Sequence, residues 1–394
     1  MRINKERLKN SMLEIGSIGK EPTGGITRLA FSTEYDKAAR CLSQLMEAAG
    51  LKVKQDPLGS VFGRQAGQDN SLPAIMFGSH LDTVKNGGLF DGTLGIMVGL
   101  EVINTLNDLG VTTQNPLELV AFNAEEGSEM GGTFASRVMA GLISPDDQYL
   151  QEHLPKYNLK PEDLVAARRD LDEIKAFIEV HIEQGTVLES ENISIGIVNG
   201  IAGITRYKVN ICGEANHSGT TPMKLRKDAL VTAARLILEI EDIALELGEP
   251  FVATVGTLEV KPGAVNVIPG EVELIIELRD LDQNKIEVAG ERIIASADQM
   301  NGDIRIERIV NKTPVKTDSE ISRVIEEACK KLEIPGRPIL SGAGHDAKEI
   351  ARKVPTGMIF VPSIAGKSHC PEEKTDWEDI YLGTEVLLET ILSI

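Results

Sequence analysis

Two adjacent glutamates, Glu125 and Glu126, follow the apolar run of "LELVAFNAEEG" at the point where a buried strand would end. Other chemistry-bearing residues close similar runs. His80 and Asp82 end "PAIMFGSHLDTV", His181 ends "AFIEVHIEQG", and His369 lies in the loop of "TGMIFVPSIAGKSHCPEE". Asp91 sits in "FDGTLGI", where Gly92 and Gly95 permit close backbone approach as a helix begins. Imidazoles and carboxylates suit a borderline divalent cation, Zn²⁺ first, with Mn²⁺, Co²⁺ or Ni²⁺ as alternatives. His80, Asp91, Glu126, His181 and His369 exceed the three protein ligands of one catalytic zinc site. With one carboxylate bridging, they suit two ions about 3.5–4 Å apart, an arrangement used in hydrolysis. Asp82, two residues past His80, is placed to orient a ligand from behind. In extended backbone, consecutive side chains point to opposite sides. One glutamate of the pair could then bind metal while the other faces the cavity as a general base.

Taken singly, each residue has an ordinary structural role: a hydrogen-bonded histidine, a helix-capping Asp91, a solvated Glu-Glu turn. Their recurrence at the ends of four strands points to metal instead. The elements that must carry them are short apolar strands alternating with helices such as Thr33–Gly50 and Gly95–Leu106. That pattern indicates an α/β fold with a mostly parallel central sheet, in which ligands bind beyond the carboxyl ends of the strands. From Ile204 to about Val315 the pattern changes. "RYKVNICGEA" alternates like a half-exposed strand, a helix spans Asp228–Leu247, and two strands, a helix near Asn284–Met300 and "DIRIERIV" follow. The order β-α-β-β-α-β is that of a split βαβ sandwich. Because His369 lies beyond it, residues 205–315 are expected to interrupt a domain made of 1–204 and 316–394.

The chain has 394 residues and a net charge of −19, which disfavours a nucleic-acid or anionic-membrane partner. Cys41, Cys212, Cys329 and Cys370 are scattered, as reduced thiols are. The amino-terminal stretch has no signal-peptide core and no run reaches membrane-spanning length, so the expected location is cytoplasmic.

The blocks "GSHLDTV", "FDGTLGI", "NAEEG", "HIEQG", "GEANHSGTTPM" and "GAGHDA", with "VPSIAGKSHCPEE", resemble the di-metal M20 amidohydrolase/peptidase superfamily. More narrowly they resemble its hydantoinase/carbamoylase branch, which includes N-carbamoyl-L-amino acid hydrolases, β-ureidopropionases and allantoate amidohydrolases. The resemblance runs from about Gly16 to Asp379. It implies a di-metal catalytic domain interrupted by a smaller α+β lid that also dimerises. His80 and His181 would each hold one metal with Asp91 bridging, Glu126 and His369 would complete the second, and Glu125 would be the base. His217 would reach an active site, often the partner subunit's, to stabilise the oxyanion. Asn266 and Arg279 would bind the substrate carboxylate, Gln184 would lie near the carbamoyl group, and Arg206 matches a further substrate-contacting arginine of allantoate-type relatives. The lid entry "GITRYKV" is less basic than in many relatives, and Cys370 stands where many have Asn. His345 resembles a position near the active site without a defined role.

The resemblance implies an amidohydrolase cleaving the carbamoyl C–N bond of an N-carbamoyl-L-amino acid to amino acid, ammonia and carbon dioxide. Allantoate is the alternative substrate, favoured by Arg206. An M20 aminopeptidase or dipeptidase would need a cavity carboxylate for a free α-amino group, and "HIEQG" with Asn266 and Arg279 argues against it. A non-catalytic scaffold would have lost a ligand or the base, whereas all stand in place.

Overall fold

The structure, a computed structural model, describes residues 3–300 and 302–394 and divides into two compact units, Met1–Asn199 with Lys316–Ile394, and Gly200–Val315. In chain order the strands are β1 (Lys52–Gln55), β2 (Val61–Gln65), β3 (Ala74–His80), β4 (Leu117–Phe122), β5 (Ile174–Ile182), β6 (Ile195–Ile201), β7 (Gly203–Cys212), β8 (Asn216–His217), β9 (Val252–Lys261), β10 (Val267–Ile268), β11 (Glu271–Asp280), β12 (Asp303–Lys312), β13 (Val315–Lys316), β14 (Gly336–Ser341) and β15 (Thr356–Val361).

The larger unit is built on a sheet of order β1-β2-β4-β3-β5-β15-β6-β13, with β14 beside β6. Its centre is parallel: β4 with β3, β3 with β5, β5 with β15. Its flanks turn antiparallel at β1–β2, β2–β4 and β15–β6. Parallel strands are covered on both faces and must be apolar throughout. Accordingly β3, β4 and β15 are buried at every residue. The helices Thr33–Ala48, Thr93–Leu109 and Trp377–Ser393 contribute Leu42, Leu94 and Leu387 to the core around Phe77 and Ile178. Ser32 and Asp376 cap two of these helices through their side chains, as short polar residues do.

Shared strand direction puts the carboxyl ends together, and the register makes this concrete. His80 is opposite Phe122 and Phe360 is opposite His181. Four ends of the parallel strands therefore reach one edge of the sheet, each opening into a loop that carries polar residues.

The smaller unit is a four-stranded antiparallel sheet of order β12-β7-β11-β9 with the helices Ala229–Leu247 and Gln283–Gln299. Strand β11 alternates strictly between half-exposed and buried residues. Val272, Leu274, Ile276 and Leu278 pack with Val209, Ile211, Leu236, Ile240 and Ile293 in a core of the unit's own. The alternate positions, Arg206 on β7 and Glu277 and Arg279 on β11, form the other face. Among the described residues, no helix is long and apolar enough to cross a membrane.

Candidate active site

In the larger unit one carboxylate gathers three imidazoles. Asp91 Oδ1 lies 3.3 Å from His80 Nε2 and 3.2 Å from His181 Nε2, and Asp91 Oδ2 lies 3.3 Å from His369 Nε2. His369 Nε2 is also 3.3 Å from Glu126 Oε2. The residues form two ligand-atom groups sharing Asp91: His80–Asp91–His181 and Asp91–Glu126–His369, each spanning no more than 4.8 Å. The expected division put His80 and His181 on different metals. Here both face the same oxygen, because β3 and β5 are direct neighbours in parallel register and bring the two rings 5.8 Å apart.

The donor set fits a pair of divalent cations. Tetrahedral ligands bound at about 2.0–2.1 Å stand about 3.3 Å from one another, which is the spacing found. His80 Nδ1 lies 3.0 Å from the Asp82 carbonyl and His181 Nδ1 lies 2.9 Å from the Ile182 carbonyl. With Nδ1 donating to these carbonyls, the Nε2 lone pairs face Asp91. The backbone N–H of Gly92 donating to His181 Nε2 at 3.2 Å agrees. Glu126 Oε1 is buried with no hydrogen-bond partner, an unsatisfied acceptor on the carboxylate whose other oxygen faces His369. Gly92, at φ 64°, follows Asp91 because a side chain there would overlap the His80 imidazole.

The glutamate pair diverges, but by a different device than strand alternation. The strand stops at Phe122, residues 123–126 bend, and Ala124 is left-handed at φ 59°. The buried Asp82 carboxylate then accepts the N–H of Glu125 on Oδ1 and that of Glu126 on Oδ2, both at 3.1 Å. Glu125 Oε2 consequently comes within 3.9 Å of His80 Nε2 while Glu126 turns to His369. Asp82 thus orients the glutamates as well as flanking His80, whose Nδ1 is 3.8 Å from Asp82 Oδ1.

Electrostatics separates the carboxylates. Burial works against the ionised Asp91, but the imidazoles of His181, His369 and His80 around it outweigh burial and hold its carboxyl well below the usual range. Glu125 goes the other way: burial, opposed by His80 and reinforced by Glu126, Asp346 and Asp82, raises it well above the usual range. Burial and the charge of Asp91 push Glu126 to about 7. The hydrogen bond to Asp91 lifts His369 to about 9 against its partial burial. One acid kept ionised beside another kept ready to hold a proton is a usual acid–base arrangement.

Gln184 joins this cluster, its Nε2 donating to Asp91 Oδ2 at 2.8 Å. Gln184 and His369 both have left-handed backbones, at φ 59° and 58°, and such non-glycine conformations cluster at functional sites. Three buried carboxylates or imidazoles nearby escape a reading by strand ends. Glu373 accepts the N–H of Phe90 at 2.7 Å and of Asp91 at 3.1 Å, and Ser368 Oγ lies 2.7 Å from Asp91 Oδ2 and 3.0 Å from Glu373 Oε2. Glu179 accepts from Ser79 Oγ at 2.6 Å and from Ala347 N at 2.8 Å. His345 packs edge-on against His181, ring centres 4.6 Å apart, and burial holds its imidazole well below the usual range. A charged residue inside an apolar strand, as in "AFIEVHI", was the available signal for Glu179.

The remaining candidates lie in the smaller unit and form two groups there. His217 on β8 is opposite Val267 on β10, and Ser218 N donates to the Asn266 carbonyl at 3.0 Å, so His217 and Asn266 are neighbours, both exposed. Arg206 and Arg279 converge on one carboxylate: Arg206 Nε is 2.6 Å from Glu277 Oε2, and Arg279 Nη2 is 2.7 Å from Glu277 Oε1. Burial is outweighed by these two arginines, which hold Glu277 below the usual range.

Residues 76–393 match the peptidase family M20/M25/M40. The chain is 41% identical over 402 residues to an N-carbamoyl-L-amino acid amidohydrolase of Geobacillus stearothermophilus, covering 99% of this chain and 98% of that one. It is 35% identical to an allantoate amidohydrolase of Escherichia coli, covering 97% and 96% of the two chains. A solved amidase of the hydantoinase/carbamoylase family from Burkholderia multivorans superposes with a TM-score of 0.92 at 34% identity, covering 100% of this chain and 98% of that one. With ligand types, register and full-length likeness in agreement, the chain belongs to the metal-dependent M20 peptidase and amidohydrolase family.

Proposed function

We propose that this protein is a di-metal amidohydrolase that cleaves the carbamoyl C–N bond of N-carbamoyl-L-amino acids. The observation that carries the reading is Asp91, whose two oxygens face separate groups of ligand atoms with Glu125 alongside. His80, Asp91 and His181 would hold one divalent ion, and Asp91, Glu126 and His369 the other, Zn²⁺ first and Mn²⁺, Co²⁺ or Ni²⁺ as alternatives. When bound, such ions polarise the carbonyl and acidify water. Glu125 takes the proton from the attacking water, whose oxygen bonds to the carbamoyl carbon. The C–N bond to the amino acid then breaks, and Glu125 returns that proton to the leaving nitrogen. The products are the free amino acid and carbamate, which decomposes to ammonia and carbon dioxide. The raised proton affinity of Glu125 suits a group that must hold a proton between two steps.

For the smaller unit we assign the recognition roles that the family likeness supports: His217 to the developing oxyanion, Asn266 and Arg279 to the substrate carboxylate, and Gln184 of the larger unit to the carbamoyl group. The smaller unit would serve as lid and dimerisation element, completing a homodimer. Allantoate remains the second reading, favoured by Arg206 standing with Arg279 on the same face of the sheet. The test is ammonia release by the zinc-loaded protein from N-carbamoyl-L-amino acids, allantoate and a dipeptide control. Turnover of the L-carbamoyl compounds is expected. Turnover of allantoate alone would transfer the chemistry to that substrate, and turnover of the dipeptide alone would overturn it.

A further inference from the structure

Arg28 lies in "GGITRLAFS", outside every ligand-bearing block, yet its side chain is 1% exposed. Its guanidinium is satisfied by uncharged oxygens drawn from three separate segments. Nε donates to the Leu81 carbonyl at 2.6 Å, Nη2 to Thr93 Oγ1 at 2.8 Å, and Nη1 to the Ile18 carbonyl at 3.2 Å. The Arg28 backbone grips the same turn twice more: its N–H donates to Thr83 Oγ1 at 2.8 Å, and its carbonyl accepts from Thr83 N at 2.9 Å.

Among the described residues no carboxylate hydrogen-bonds the guanidinium, and the buried Asp82 favours its charge only from a distance. Burying a cation so placed costs several kcal/mol, which a hydrophobic filler would avoid. The arginine therefore supplies something a filler cannot, and its rigid, planar fork of donors is the distinguishing feature. The places it grips are telling. Leu81 follows His80 directly, and Thr93 opens the helix two residues after Asp91. His80 and Asp91 face each other at 3.3 Å. One side chain thus ties the end of β3 to the start of the helix Thr93–Leu109, fixing the separation of two ligands that come from different elements. The same turn, 81–83, holds the Asp82 carboxylate that receives the N–H groups of Glu125 and Glu126.

We propose that Arg28 is a positioning residue for the divalent cation held by His80, Asp91 and His181, setting the distance between the His80 turn and the Asp91 turn. The inference rests on the di-metal reading above. It is tested with the full chain by titrating Zn²⁺ against a chromophoric chelator in Thr93→Val, which removes one acceptor, and Arg28→Lys, which keeps the charge but loses the fork. Met12→Ala, a core cavity touching none of these bonds, serves as the stability control. The expected result is the Zn²⁺ held by His80, Asp91 and His181 weakened about 10- to 100-fold in both variants, and more than the Zn²⁺ that shares only Asp91 with it, as when outer-shell partners of a metal site are lost. At limiting zinc kcat falls and excess zinc restores it, with KM unchanged, while Met12→Ala lowers thermal stability and leaves both zinc affinities alone. Two zinc ions bound at unaltered affinity in Thr93→Val and Arg28→Lys would reduce Arg28 to a buried plug. Should Arg28→Lys fail to fold, Thr93→Val decides alone. Zinc titration needs no substrate, so failure of the unaltered protein to bind two ions would sink the di-metal reading itself and is distinguishable from failure of the Arg28 inference.

Discussion

The two units solve opposite problems with their polar residues. In the larger one, His80, Asp82, Asp91 and His181 are buried, at strand ends or in the turns beyond them, and His80, Asp82 and His181 are held by backbone partners. In the smaller one, Arg206, Arg279, His217 and Asn266 are half-buried or exposed. The backbone tells the same story. The non-glycine residues with positive φ, Ala124, Gln184 and His369 among them, all fall outside Gly200–Val315 among the described residues. Strain of this kind persists only where the surroundings over-determine it. The contrast teaches that the reacting geometry is built in advance in the larger unit, while the smaller one offers side chains on an unstrained frame. Substitutions in the first should destroy metal binding or kcat, and those in the second should raise KM.

The largest effect is expected from Asp91→Ala. Both ligand groups use this carboxylate, so the variant should bind neither zinc tightly and lose all detectable turnover, measured by metal analysis after dialysis and by ammonia release. Retention of two zinc ions would remove Asp91 as the shared ligand. Next is Glu125→Gln, which keeps shape and leaves the ligand groups untouched. It should lower kcat by about 10²- to 10⁴-fold, the usual contribution of a positioned base, with two zinc ions still bound. Unaltered turnover would hand the proton transfer to another group.

Much of this was legible in the sequence because a parallel sheet converts strand ends into neighbours. His80 and His181 could be placed together from two apolar runs alone, and Asp91 from the glycines that follow it. The half-exposed strand β11 of the smaller unit showed in the alternation of "EVELIIELRD", where packing on one face imposes period two. What stayed hidden were side chains whose partners lie far along the chain. Glu373 serves backbone groups at Phe90 and Asp91, and Arg28 serves Leu81 and Thr93, with no periodicity to mark either. The division of the histidines required knowing which strands are adjacent, and the bend at Ala124 replaced an expected extended backbone. The antiparallel flanks β1–β2–β4 and β6–β15 were likewise invisible, since a buried strand reads the same in either direction.

A smaller effect should come from Arg279→Ala. Glu277 keeps Arg206 at 2.6 Å, so no carboxylate is stranded and the variant should fold. If Arg279 binds the substrate carboxylate, its loss should raise KM about 10- to 100-fold, the range for a charge-assisted hydrogen bond, with both metals retained and kcat little changed. Loss of zinc from this variant would break the contrast between the units, because it would make the smaller one part of the metal frame. An unchanged KM would remove Arg279 from substrate recognition.

The smallest expected signal is a pH dependence that belongs to the larger unit only. In the metal-free protein, His369 is raised from its usual range to about 9, chiefly by its hydrogen bond to Asp91, and Glu126 to about 7, chiefly by burial. Both shifts favour the protonated form in the folded state. Their contribution to stability is complete below the unfolded values, about 6.5 for His and 4.3 for Glu, and is lost as pH rises through about 7 for Glu126 and about 9 for His369. Metal needs the opposite forms, a neutral imidazole and an ionised carboxylate, so zinc uptake tightens over the same window. The difference in melting temperature between zinc-loaded and chelator-treated protein should therefore widen from pH 6 to pH 9. His369→Ala should flatten that slope, because one of the two protons no longer has a site, whereas Arg279→Ala should leave it intact. A slope that responds equally to both substitutions would mean that the proton linkage is not confined to the ligand cluster, and the division between a preorganised larger unit and an unstrained smaller one would fail there.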